Sequence, residues 1–146
     1  MRYFFSDLHL GHKYCDTVGV QDVIENFKSN DKVAITGDLF DLQYTPLLDI
    51  VKENFEIIQG LYPHLDYYIP GNHDFEFSKL NGGEMVIPQI TYPEKVLQFD
   101  GMKVLVAHGH LYGYLAWYFK TVERFYDVKG FRKFSKWIAK NQILSL

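Results

Sequence analysis

Asp, Asn and His recur in four short runs along this chain: Asp7-Leu8-His9, Gly37-Asp38-Leu39-Phe40-Asp41, Gly71-Asn72-His73-Asp74 and His108-Gly109-His110. Each follows a stretch rich in β-branched or aromatic residues, such as Tyr3-Phe4-Phe5 or Val33-Ala34-Ile35-Thr36. Donors of these types at strand ends gather on one rim of a sheet, and open α/β sheets bind their ligands at that carboxyl-end rim. Carboxylate and amide oxygens mixed with imidazole nitrogens suit Mn, Fe, Zn or Ni better than calcium alone. The four runs together predict a metal site.

The elements that must position these residues alternate. Residues 2–6 read as a buried strand, and a loop runs on to about Gly19. Val23, Ile24 and Phe27 fall at helical spacing within residues 22–29. A second strand, 33–36, stops at Gly37. Leu47, Leu48, Ile50, Val51, Phe55 and Ile58 predict one helix, with Pro46 in its first turn and an end near Gly60. A third strand, 67–69, turns at Pro70-Gly71. Residues 75–95 read as a long irregular segment. Asp100-Gly101 between strands 96–99 and 103–107 favours a type I′ hairpin turn. From Tyr114 onward the pattern is helical and basic. Strands alternating with helices predict βαβ units and a mainly parallel sheet.

Asp-x-His, Gly-Asp-x-x-Asp, Gly-Asn-His-Asp and a later His, in this order, resemble the calcineurin-like metallophosphoesterases. The resemblance covers residues 2 to about 110. It implies an α/β sandwich with helices flanking two β-sheets, shortened at the C-terminus, divided into a core over residues 1–113 and a helical tail over 114–146. It also implies two divalent ions, manganese foremost, with Fe, Zn or Ni as alternatives. Asp7 and His9 bind the first ion, their i, i+2 spacing placing both on one side of extended backbone. Asp38 bridges, one carboxylate oxygen serving each ion; Asn72 and His108 bind the second. Two ions roughly 3.5–4 Å apart polarise phosphoryl oxygens and activate a bridging water, whose hydroxide attacks phosphorus in line. His73 stabilises the developing charge or protonates the leaving oxygen, and Asp74 orients its ring. Asp41 reads as a structural or supporting carboxylate.

The family's final Gly-His-x-His block is not found. His110 is therefore open to two readings. Ala107-His108-Gly109-His110 imitates that block with Ala for Gly, which makes His110 a ligand. Alternatively, His108 alone ligates and the final block lies beyond residue 146. Ser6-Asp7-Leu8-His9-Leu10-Gly11, the Gly-Asp-Leu-Phe-Asp block and the helices after the fourth block look most like the UDP-2,3-diacylglucosamine hydrolase branch, which cleaves a pyrophosphate in a lipid-linked nucleotide at the inner membrane face. Many of that branch carry Arg where this chain has His73. Double-strand-break repair nucleases share the same blocks, and an incomplete, inactive binding module is the third alternative. Taken singly, each residue has a structural reading: Asp7 or Asp38 as a helix cap, Asn72 in a turn, His108 as a buried histidine. His12 reads as a phosphate contact or a solvated loop residue, and His64 as a surface residue.

Size and charge bound these readings. The 146 residues, 47% hydrophobic and 17% aromatic, are enough for one packed domain and argue against disorder. Met1 leads straight into a strand, which leaves no room for a signal peptide, and no run reaches the roughly 18 apolar residues of a membrane span. The lone Cys15 fits a reducing cytosol and reads as an idle thiol. The net charge of −3 conceals an asymmetry: residues 1–119 hold 8 Lys/Arg against 16 Asp/Glu, residues 120–146 hold 7 against 2. The basic tail, with Trp117, Phe134 and Trp137 among Lys133, Lys136 and Lys140, suits an anionic membrane surface or packing on the domain. The expected partners are a phosphate-containing small molecule or lipid-linked nucleotide, then nucleic acid through its backbone, then further copies of the chain.

Overall fold

A computed structural model describes residues 1–81, 90–99, 101–112 and 116–125. The chain divides into two units, Met1–His108 and Gly109–Leu146. In the first, β1 (Arg2–Phe5), β2 (Lys32–Thr36) and β3 (Leu65–Ile69) form a parallel sheet in the order β1-β2-β3. Phe5 pairs with Ile35 and Thr36 with Ile69, so the three strands end level with one another. Helix α1 (Thr17–Glu25) crosses from β1 to β2, and α2 (Leu47–Glu53) with α3 (Phe55–Leu61) from β2 to β3.

Alternation along the strands sorts the core into two layers. Val33, Ile35 and Tyr68 pack with Ile24, Ile50, Ile57 and Leu61 of the helices. Ala34, Tyr67 and Ile69 face the other way and pack with Leu97 and Val106. Those two belong to β4 (Glu94–Phe99) and β5 (Met102–Ala107), an antiparallel hairpin with Phe99 opposite Met102. The result is a helix layer, a parallel sheet and a hairpin layer, the predicted mixed α/β sandwich. Gly101 takes φ +81°, as a two-residue hairpin turn requires. The turn type also depends on Asp100, which lies outside the described residues.

Three boundaries differ from the sequence reading. Helix α1 starts at Thr17 instead of Asp22, because the Asp16 side chain accepts the Gly19 N–H at 3.0 Å and caps the first turn. The single helix predicted over 47–60 is two, broken at buried Asn54, whose amide donates to the Ile50 carbonyl at 2.9 Å. Within the predicted irregular segment, residues Phe75–Asn81 wind as a 3-10 turn. Farther on, Ile90 bridges to Tyr68 beside β3.

In the second unit, α4 spans Ala116–Phe125, where helix was predicted. The tail residues Lys133, Phe134, Lys136, Trp137 and Lys140 lie outside the described residues. Among those described, no helix is long and apolar enough to cross a membrane.

Candidate metal centre

The site grows from backbone that stops being extended. After β1, Asp7 and His9 hold φ of 56° and 51°; after β2, Asp38 holds 49°. Asp and His are enriched among the few non-glycine residues that adopt left-handed backbone, at a cost on the order of 1 kcal/mol each. The two loops still run side by side, with N–H groups of Asp7, His9 and Leu10 donating to the carbonyls of Gly37, Asp38 and Leu39 at 3.1, 2.9 and 2.9 Å. Asp7 and His9 therefore come to one side through two left-handed residues. The expectation of extended backbone there does not hold.

Two glycines make room. Gly37 has φ +116°, and a β-carbon there would overlap the His108 ring. A β-carbon on Gly71 would overlap the Asp38 carboxylate and lie 2.6 Å from the Asp38 nitrogen. The Gly-Asp and Gly-Asn runs thus have a steric basis: β3's end and His108 both press against the β2 loop.

In that space five predicted ligands converge. The Asp38 Oδ1 atom accepts the His73 N–H at 2.9 Å, while Oδ2 lies 3.8 Å from His9 Nε2 and 3.5 Å from His108 Nε2. One oxygen of Asp38 therefore faces both imidazoles while the other is held by the His73 N–H. Asp7 Oδ1 is 4.0 Å from His9 Nε2, and Asn72 Oδ1 is 3.2 Å from His108 Nε2. Asp38 is buried, Asp7 exposed.

The donor set fits a divalent cation on the hydrogen bonding of His108. Its Nδ1 lies 3.1 Å from the Thr36 carbonyl, so Nδ1 carries the hydrogen. In the neutral ring the lone pair of Nε2 then faces Asn72 Oδ1 and Asp38 Oδ2. Electron-rich atoms set this way repel unless a proton or cation lies among them. Asp7, His9 and Asp38 each offer one ligand atom within 4.8 Å of the others, and so do His9, Asp41 and His73. In the second trio a hydrogen bond already joins two members: His73 Nδ1 lies 2.9 Å from Asp41 Oδ1.

That bond corrects the role expected of Asp74. The ring of His73 is oriented by Asp41. Fully buried Asp74 accepts instead from the N–H groups of Gly71 and Phe40, at 2.7 and 3.1 Å, and from the Tyr68 hydroxyl. It is the post that fixes the ligand loops to β3. Burial and the neighbouring Asp38 charge push its carboxyl up to about 6, against the opposing pull of these three donors. Burial alone would lower the His73 imidazole, but the Asp41 hydrogen bond and the charges of Asp38, Asp41 and Asp74 outweigh it and raise the pKa. The His9 imidazole, 4.6 Å ring to ring from His73, moves the other way: burial and the neighbouring His73 lower it.

His110 is buried in a 3-10 turn over Gly109–Leu111 of the second unit. His64, expected at the surface, is half-buried, with Nδ1 3.1 Å from the Asp31 carbonyl and its ring edge-on to Phe27. Cys15 packs partly against the core, and burial raises its thiol, as an idle cysteine requires. Gln43, whose type and spacing point to no site role, donates from Nε2 to the Asn72 carbonyl at 3.1 Å and steadies Asn72 from behind. Its only signal was its place two residues beyond Asp41.

A sequence model of the calcineurin-like phosphoesterase family matches residues 3–144. No curated protein matches the chain. Among solved structures, a protein of unknown function from Aquifex aeolicus is 22% identical, with a TM-score of 0.56 over 86% of this chain and 72% of that one. A conserved uncharacterised protein from Streptococcus pneumoniae, described as a predicted phosphoesterase, is 15% identical, with a TM-score of 0.34 over 97% of this chain and 56% of that one. The first likeness bears on the fold.

Proposed function

This chain belongs to the calcineurin-like phosphoesterase family, and from that premise we propose that it is a divalent-metal-dependent hydrolase of phosphodiesters or pyrophosphates, with nucleotides or nucleotide-linked lipids as the substrate class. The observation that carries this reading is the meeting of Asp7, His9, Asp38, Asn72 and His108 at the level ends of three parallel strands. Asp7 and His9 would hold one ion, Asn72 and His108 the other, with the Asp38 carboxylate between them. Divalent ions, manganese foremost, supply Lewis acidity at the phosphoryl oxygens and an activated water.

The protein's own groups do the rest. Asp41 holds His73 by Nδ1, which leaves Nε2 to meet the substrate. The Asp41 hydrogen bond and the surrounding carboxylates raise its pKa, which favours the charged imidazole suited to stabilise the transition state and to hand a proton to the leaving oxygen. The N–H of His73 fixes Asp38 Oδ1, so the carboxylate cannot swing away from the centre.

The test is turnover of an aryl phosphodiester with added manganese, wild type against Asp38→Asn. Metal-dependent turnover lost in the variant supports the proposal; equal rates in both overturn it. For the second unit we propose contact with an anionic membrane surface. Exposed Trp117, Lys120 and Arg124 recur along α4 at a spacing that shares one face. Co-sedimentation with anionic liposomes that weakens at high salt is the expected result. The lone thiol fits our placing of the protein in a reducing cytoplasm.

A further inference from the structure

A line of aromatic rings leads outward from the reactive histidine. Tyr44 lies 6.5 Å from His73, centroid to centroid, at an interplanar angle of 20°. Next comes His12, 5.5 Å from Tyr44, and then Tyr14, 5.3 Å from His12. His12 is also 6.4 Å from His9, so the line begins beside the metal centre itself. At its far end Lys13 Nζ stands 4.6 Å over the Tyr14 ring. The Tyr14 residue is 77% exposed and Tyr44 41%, a high exposure for rings that add nothing to the core.

The two segments bearing these rings are tied together. Thr45, next to Tyr44, donates its hydroxyl to the Gly11 carbonyl at 2.8 Å, one residue before His12. The Tyr44 and Thr45 N–H groups both donate to the Asp41 carbonyl, at 3.2 and 3.1 Å. The Tyr14 N–H donates to His12 Nδ1 at 3.3 Å, and the Cys15 N–H to the His12 carbonyl at 3.0 Å. Asp41, the residue that orients His73, thus also anchors the segment that carries Tyr44. Backbone held in this way lowers the cost of ordering these rings on binding.

We propose that His12, Tyr14 and Tyr44 form a subsite for a planar aromatic group carried by the phosphoester, a nucleobase above all, with Lys13 supplying positive charge at its outer end. This deepens the hydrolase reading and rests on it. Aromatic faces accept bases with little regard to sequence or identity, because every base has a π-face. The subsite therefore selects an aromatic over an aliphatic substituent and discriminates weakly among bases.

The experiment is a calorimetric titration of the full chain, with manganese, using adenosine 5′-monophosphate and glycerol 3-phosphate, which carry the same phosphomonoester. The nucleotide is expected to bind at least about tenfold more tightly, the scale of one base–aromatic stack. Tyr14→Ala and Tyr44→Ala should each remove most of that preference, and Tyr14→Phe and Tyr44→Phe should keep it. Tyr14 is too exposed for its truncation to unfold the chain. Equal affinities for the two ligands, or a preference untouched by both alanine variants, overturn the subsite. Absence of turnover on any phosphoester together with a retained nucleotide preference would instead overturn the hydrolase reading and leave the subsite standing.

Discussion

The two ends of the parallel sheet treat charge in opposite ways. At the amino end, Arg2 of β1 meets Asp66 of β3 at 2.5 Å. There too, the Asp31 carboxylate before β2 meets the Met1 ammonium at 2.5 Å and accepts the Lys28 N–H at 2.9 Å, and the two contacts hold its pKa down. Opposite charges are matched, and the backbone needs no left-handed residue. At the carboxyl end, Asp7, Asp38 and Asp41 meet imidazoles, three non-glycine residues take positive φ, and buried Asp74 stands with its carboxyl pushed up. One end is settled within the protein. The other is arranged for something not made of amino acids, and strain and unbalanced charge collect at such functional sites.

The contrast breaks most visibly at Asp38. Asp38→Asn keeps a side chain that tolerates left-handed backbone and withdraws the shared charge. Metal-dependent turnover should fall by about 10³-fold or more, as loss of several kcal/mol of charge stabilisation demands, while the metal-free protein melts no lower than wild type. A variant that melts far lower would show that Asp38 serves the fold and would erase the difference between the two ends.

Asp74→Ala should do the opposite and damage the fold. Two N–H groups and a hydroxyl would lose their buried acceptor, at about 1–3 kcal/mol each. Urea unfolding should show a loss of about 3 kcal/mol or more. The pH dependence sharpens this. The folded-state pKa of Asp74, about 6, lies above its unfolded value of 3.8. Its contribution is fully present below pH 3.8 and is lost as pH rises through 6, to the extent of about 3 kcal/mol for two units. The raised His73 imidazole acts in the same sense, its contribution being lost as pH rises through its folded pKa. The His9 imidazole, lowered by burial and by His73, acts in the opposite sense. The Asp74 part is therefore read by difference: metal-free wild type should lose stability relative to Asp74→Asn as pH rises from about 4 to about 7, and a difference that does not change with pH would contradict it.

The two imidazoles give a finer readout. In metal-free protein, NMR titration should find His73 above 6.5 and His9 below it. Asp41→Asn should bring the His73 midpoint down and leave the metal affinity within about tenfold of wild type; an unmoved midpoint would remove Asp41 from its role. The smallest effect belongs to the amino end. Arg2→Ala should cost between about 0 and 1 kcal/mol, as a partly exposed ion pair does, with turnover unchanged.

The strands were legible because β-branched runs end at Gly-Asp, Gly-Asn or His, where the chain must turn. The convergence of the candidate donors was legible for the same reason, since each sits at such an end. What escaped depended on contacts that sequence spacing does not encode. Asp41 and His73 are more than thirty residues apart, and only the β2–β3 register brings them together. Neighbouring Asp74 was the natural guess, yet the turn at Gly71 rotates it under the loop toward Tyr68. The break at Asn54 was hidden because Val51, Phe55 and Ile58 keep helical spacing across it. The early start of α1 was masked by Gly19, which reads as loop until Asp16 is seen as its cap.

The order β1-β2-β3 also bears on how the chain acquires its site. Asp7, Asp38, Asn72 and His108 each arrive on a separate strand–loop unit, some thirty to thirty-six residues after the last. No short hairpin and no single βαβ unit holds more than part of the donor set. Long-range parallel pairing is slow to form, since loop closure precedes its reward. A chain still folding therefore offers an ion no complete cage in which to be trapped, and tight capture certifies that all three strands are in register.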